Sequence, residues 1–310
     1  MTESASAQPR ESLPLDSTAQ LLTRITAQLG TQLSHVSLNG TRRPMHHPTG
    51  RPAPSTTPPP APALVAVAHG SRDPQALRTV TELLERVREL RPGLDVRLGH
   101  IELNEPLLTS ALAGLGSRDA VLVPLLLGRG HHVKRDIPAA AAAAPALRAT
   151  IAAPLGPHPL LVEALYGRLV EAGWPAEETG GRSSAVVLAA AGSRDPESAA
   201  DTRRTARMLS ERLGGVPVVP AYASAATPTV PVAVRALAAR GRSQVAVASY
   251  FTGPGRFATA AAAAAPGAAA APLGAHPAMA RLLLRRYDQA LAGVLPASEA
   301  GRNNHLLASA

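Results

Sequence analysis

From residue 64 onward the chain alternates short apolar runs with amphipathic segments, the pattern of βα units built around a mostly parallel sheet. Leu64-Val65-Ala66-Val67-Ala68 is the first such run, and it ends in His69-Gly70-Ser71-Arg72-Asp73-Pro74. The periodicity predicts strands near 64–69, 94–103, 119–127 and 148–153, and helices near 74–91, 105–116, 134–144 and 158–172. In the first helix Asp73 is a natural N-cap and Pro74 a first-turn proline, with Leu77, Val80, Leu84 and Val87 forming the expected buried stripe.

The pattern then starts again. Gly70 and Pro106 recur as Gly192 and Pro228, both at an offset of 122, and Val121 recurs as Val245 at 124. Ala153-Pro154-Leu155-Gly156 recurs as Ala271-Pro272-Leu273-Gly274 at 118. Landmarks in the same order at near-constant offset mark a tandem duplication of one α/β domain. The resulting map has a first lobe at 63–173, a linker at 174–184 and a second lobe at 185–293. Residues 1–62, punctuated by Pro44, Pro48, Pro52, Pro54 and Pro58-Pro59-Pro60, read as a disordered extension, and 294–310 as a C-terminal tail. Within the extension, Thr18 to Leu29 has helical spacing, and His46-His47 reads as solvated loop rather than metal pair.

Composition narrows the chemistry. At 310 residues the chain is long enough for two ordinary domains, each with its own core. It is 45% hydrophobic but only 2% aromatic, so those cores are built from Ala, Val and Leu. With no cysteine, disulfides, thiolate nucleophiles and iron–sulfur sites are excluded, and any metal is held by His, Asp or Glu. The formal net charge of +9 favours an anionic partner. The basic residues are scattered singly and stacking aromatics are nearly absent, which points away from nucleic acid and towards a polycarboxylate. No apolar run is long enough to span a bilayer and no signal peptide is visible, so a cytoplasmic protein without membrane association is expected, as monomer or homodimer.

Comparing the halves separates structure from chemistry. Ser71, Arg72, Asp73 and Pro74 recur as Ser193, Arg194, Asp195 and Pro196, and His158 and His276 both precede a proline at a helix start. Turn geometry and capping explain most of these. His69, however, is matched by Ala191 and Glu102 by Ser224, and Gly130-His131-His132-Val133-Lys134-Arg135-Asp136-Ile137-Pro138 is matched by a stretch around Pro254-Gly255-Arg256-Phe257-Ala258 with no ligand type in it. His69, Glu102 and His131 or His132 each follow an apolar strand, and the carboxyl ends of parallel strands converge on one sheet edge. Two imidazoles and a carboxylate hold a divalent ion with positions left open.

These same stretches, His69-Gly70-Ser71-Arg72, Ile101-Glu102-Leu103-Asn104-Glu105-Pro106 and Gly130 to Pro138, closely resemble the CbiX-type sirohydrochlorin chelatases, in a long two-lobed form with a degenerate second half. The resemblance implies two flavodoxin-like lobes facing a cleft and an enzyme that inserts Fe2+, Co2+ or Ni2+ into a tetrapyrrole without an organic cofactor. The Fe2+ product leads to siroheme and the Co2+ product to cobalamin. It implies His69, His132 and Glu102 as metal-binding and catalytic residues, with His132 preferred over His131 because the His-x-x-x-Asp-Ile-Pro spacing selects it. Arg72, Arg129, Lys134 and Arg135 lie beside the motifs and are the candidates for pairing with the carboxylates of sirohydrochlorin. Tyr250, Phe251 and Phe257 are candidates for an apolar wall in the second half. The alternative expectation is a carrier that binds metal or tetrapyrrole without turnover.

Overall fold

The computed structural model describes residues 61–175 and 183–294. The expected extension, its short helix, His46-His47 and the end of the C-terminal tail lie outside the described residues. So does the middle of the expected linker, whose ends are ordered parts of the fold: Trp174 is buried and Ser184 opens a strand.

The first lobe runs β1 (Ala63–Ala68), α1 (Pro74–Leu90), β2 (Val96–His100), α2 (Leu108–Ala113), β3 (Asp119–Pro124), a π-helical turn (His132–Asp136), α3 (Ile137–Ala142), β4 (Arg148–Ile151) and α4 (Pro159–Glu171). The second runs β5 (Ser184–Ala190), α5 (Pro196–Arg212), β6 (Val218–Tyr222), α6 (Val230–Ala238), β7 (Gln244–Tyr250), α7 (Arg256–Ala263) and α8 (Pro277–Val294). All strand pairs are parallel, in the order β2-β1-β3-β4 in one sheet and β6-β5-β7 in the other. The second sheet keeps only a bridge, Val247 to Ala269, where the first has its fourth strand. Among the described residues no helix is long and apolar enough to cross a membrane.

Several expected boundaries move, each for a local reason. The second strand stops at His100 and the following helix starts only at Leu108, because Pro106 disfavours helical backbone at Glu105. The helix expected at 134–144 is a π-turn followed by α3. In α1 the buried side chains are Leu83, Leu84 and Val87, with Val80 half-buried, while Leu77 is 37% exposed. The stripe reaches the end of the sheet at its first turn, and Leu77 faces a cleft instead of the core.

The glycine and the capping aspartate kept in both halves are structural. Gly70 and Gly192 have φ of +104° and +92°, and a Cβ on either would stand 1.8 Å from the carbonyl oxygen of Glu102 or Ser224. Only glycine permits that approach. Asp73 and Asp195 cap α1 and α5 by accepting from Gln75 N and Glu197 N, both at 2.9 Å.

Each lobe has an apolar cluster of its own, and the two share a third. Alternate residues of β1 and β5, Leu64, Ala66 and Ala68 with Val186, Leu188 and Ala190, belong to one shared apolar cluster, while Ala63, Val65 and Val67 or Ala185, Val187 and Ala189 face the outer layers. The last helices are exchanged: α4 packs on α5 and β7 of the second lobe, and α8 packs on α1, β3 and β4 of the first. Arg168 on α4 donates to Leu273 O at 3.0 Å, and Arg286 on α8 donates to Leu155 O at 3.1 Å. The repeated Ala-Pro-Leu-Gly turn is thus the docking point of the other half's helix. This exchange adds a shared core to the one each lobe keeps for itself.

His158 and His276 cap these helices, Nδ1 accepting from Leu160 N and Ala278 N at 3.1 Å. Burial holds both pKa values below the ordinary histidine value, helped by Arg286 at His158 and by Arg168 at His276. As pH falls below about 6.5 the unfolded chain takes up protons at these positions before the folded chain does, so stability declines with falling pH until the folded values are reached. Replacing both by Asn, which caps without titrating, is expected to flatten that decline relative to the native chain in urea melts between pH 7 and 5. An unchanged slope would remove the caps from the pH response.

Candidate functional site

The site sits where β1, β2 and β3 end. The parallel β1/β2 ladder continues past the strands, Ile101 N donating to Ala68 O at 2.9 Å and Glu102 N to His69 O at 3.0 Å. Asn104 Oδ1 accepts from Ser71 N at 2.6 Å and closes the turn. These bonds set Glu102 beside His69, with Oε1 3.5 Å from Nδ1. The segment after β3 brings His132 against His69, ring centroids 4.6 Å apart in an edge-to-face contact of 86°.

The π-turn adds a residue to one helical turn, with Ile137 N donating to His132 O, and Asp136, four residues on, faces His132. His132 Nδ1 lies 2.5 Å from Asp136 Oδ2. An ionised carboxylate only accepts, so Nδ1 carries the proton and Nε2 presents a lone pair. Each histidine therefore has a carboxylate at its Nδ1, Glu102 for His69 and Asp136 for His132. Sequence reading used Asp136 only as a spacing marker; its i,i+4 relation to His132 was the available signal. His131 lies on the rim, its side chain 74% exposed and its Nε2 3.8 Å from Asp136 Oδ1. Among the described residues no three His, Asp or Glu side chains close into a ready-made metal cage. The arrangement is an open pair of imidazoles.

Two cavities flank the pair. One of about 350 Å³ is lined by His69, Leu77, His100, Phe251, Arg256 and Phe257 among others, and one of about 410 Å³ by His69, His132, Ala191, Tyr250, Phe251 and Phe257 among others. The second lobe thus supplies the facing wall, with Phe251 and Phe257 in both cavities as the sequence suggested. Tyr250 is buried, which pushes its phenol pKa up, and its hydroxyl donates to Leu127 O at 2.9 Å. His100, 2% exposed, has Nδ1 3.3 Å from Pro106 O, and burial holds its pKa below the ordinary value.

The four candidate cations divide. Arg129 is engaged by Asp201 and Glu197, its Nη2 2.7 Å from Asp201 Oδ1 and its Nη1 2.8 Å from Glu197 Oε1. Lys134 Nζ lies 2.6 Å from Asp195 Oδ2 and 2.5 Å from Glu197 Oε2. Those two charges join the lobes. Arg72 and Arg135 are exposed and form no ion pair among the described residues. Arg256, missed in the sequence because its half lacks ligands, lines the first cavity with its guanidinium 5.0 Å from the Phe257 ring.

The fold is of the chelatase type: the chain is similar to the structure of SirB from Bacillus subtilis with Fe3+, at a TM-score of 0.60 and 24% identity, over 77% of this chain and 97% of that one. It is similar also to a structure described as CbiX, the terminal enzyme for biosynthesis of siroheme in denitrifying bacteria, at a TM-score of 0.54 and 23% identity over 72% and 98%. The CbiX family pattern matches residues 63–172 and again 185–290, and the chain belongs to that family.

Among curated relatives, the sirohydrochlorin ferrochelatase of Bacillus subtilis is 30% identical over 173 residues, 54% of this chain and 64% of that protein. The sirohydrochlorin cobaltochelatase of Methanopyrus kandleri is 40% identical over 79 residues, 24% of this chain and 55% of that protein. Both alignments span less than two thirds of the relative's own length.

Proposed function

We propose that the protein is a sirohydrochlorin chelatase that places a divalent metal, Fe2+ or Co2+, into the macrocycle within the cleft beside His69. The observation that carries the reading is the open pair His69 and His132, each backed at Nδ1 by a carboxylate, between cavities walled by the second lobe. The names of the relatives, ferrochelatase and cobaltochelatase, support the substrate class.

Insertion exchanges two pyrrole protons for one divalent ion and moves no electrons, so it needs no organic cofactor. His132, its Nδ1 proton fixed on Asp136, offers Nε2 to the incoming metal, and a half-exposed pair of ligands leaves positions for water and then for pyrrole nitrogens. As the metal leaves it for the macrocycle, His69 takes one pyrrole proton at Nε2 while Glu102 stabilises the charge from the Nδ1 side, and the second proton passes to water in the open cleft. Glu102 also offsets the metal's charge as the third member of the site. Phe251 and Phe257 pack the macrocycle face, and Arg72, Arg135 and Arg256 meet its peripheral carboxylates. An N/O site follows the general divalent affinity order, so availability decides which ion is inserted.

Anaerobic incubation with sirohydrochlorin and Fe2+, Co2+ or Ni2+ in parallel tests this. The expected result is protein-dependent conversion to the metallated visible spectrum with at least one ion. Stoichiometric binding of metal or tetrapyrrole without accelerated conversion would make the protein a carrier.

A further inference from the structure

The segment that carries His132 is fastened to the second lobe at three points. Tyr250 donates to Leu127 O at 2.9 Å. Asp201, only 3% exposed, accepts from Arg129 through its backbone N and Nε at 3.0 Å and its Nη2 at 2.7 Å. Lys134 reaches Asp195 and Glu197 at the start of α5, and Arg129 reaches Glu197 as well. Two of these anchors, Arg129 and Lys134, bracket His131-His132, and the π-turn between and beyond them is a backbone form found mostly at functional sites.

We infer that the acidic side chains of the second lobe, with Asp201 at their centre, position His132 for metal binding, so that the lobe without ligands sets the aim of the lobe that has them. The inference rests on the reading of His132 as a metal ligand. The physical case is local. A π-turn relaxing to α-helix rotates the residues on one side of it relative to the other, and would carry His132 away from His69. Three fixed points ahead of and within the turn oppose that rotation. Asp201 is suited to the task because burial, which works against its charge, is more than offset by the hydrogen bonds from Arg129, leaving its pKa below the ordinary carboxylate value. The carboxylate stays charged at neutral pH and so grips Arg129 firmly. The same contacts give Arg129 and Lys134 a role between the lobes.

The experiment compares Co2+ binding to the native full chain, Asp201→Asn and Lys134→Gln, without tetrapyrrole, by visible absorption of the bound ion, together with insertion rate and melting temperature. Arg91→Ala serves as control, because Arg91 ties α1 to α8 through Asp288 far along the chain from the π-turn. Asp201→Asn is expected to remain folded, to weaken Co2+ binding about 10-fold or more with an altered spectrum, and to lower insertion in parallel. Lys134→Gln is expected to move in the same direction, and Arg91→Ala to lower the melting temperature with an unchanged Co2+ spectrum. A folded Asp201→Asn chain with native Co2+ affinity, spectrum and rate overturns the inference. Should Asp201→Asn fail to fold, Lys134→Gln decides by the same spectral comparison. If the native chain binds Co2+ but metallates nothing, the proposed activity falls while the Co2+ comparison still decides the role of Asp201.

Discussion

His69→Ala is expected to fold like the native chain and to lose metal insertion by about 100-fold or more, the usual scale for removing a positioned acid–base group. The fold has already accommodated the substitution once. In the second lobe Ala191 occupies the equivalent position, its carbonyl accepting from Ser224 N at 2.9 Å as the His69 carbonyl accepts from Glu102 N at 3.0 Å. The turn is thus held by backbone bonds, by Asn104 and by the Asp73 cap, and the imidazole, 44% exposed, holds nothing up. What the substitution removes is the base at Nε2 and one of the two imidazoles in contact at 4.6 Å. The check is a metallation assay beside a thermal melt. A native melt with native turnover would sink the assignment, and a collapsed melt would show that the second lobe is no guide to the first.

Much of this was legible from residue order because local rules and the duplication agreed. Short apolar runs fixed the strands, Asp73-Pro74 fixed a helix start, and Ala191 opposite His69 set that candidate ligand apart from the repeated turn. His69 and Glu102 come together because they follow the carboxyl ends of the neighbouring parallel strands β1 and β2, whereas His132, well past the end of β3, reaches them only through the loop and the π-turn. Other features depend on partners that are distant in sequence. Leu77 belongs to the apolar stripe of α1 by spacing, yet the sheet ends beneath it and it lines the cleft. Arg129 and Lys134 look like free cations until α5, more than sixty residues later, sets Asp195, Glu197 and Asp201 against them. Which lobe α4 and α8 pack on is equally invisible, since an amphipathic helix buries its stripe against either sheet with the same periodicity.

That helix exchange makes a strong demand on stability. The first lobe alone, residues 63–173, is expected not to persist as a stable monomer. Its shared face is covered by α8, which brings Met279, Leu282, Leu283, Leu284 and Tyr287 into the core, all at most 8% exposed. Taking about 2 kcal/mol for each large apolar side chain, their loss removes roughly 10 kcal/mol, as much as the whole stability of an ordinary domain. At the same time α4 loses its seat on α5 and β7 and presents its own apolar stripe to water. The two defects are complementary, because α4 and α8 begin with the same His-Pro cap and carry Arg168 and Arg286 to the same turn in the opposite half. Two copies of the excised lobe can therefore exchange α4 helices and rebuild the shared core. Sedimentation of residues 63–173 is expected to show a dimer, or an unfolded and aggregating chain at low concentration, with a melting temperature that rises with concentration. A monomer as stable as the native chain would show that α8 contributes little to the first lobe and would overturn the shared core.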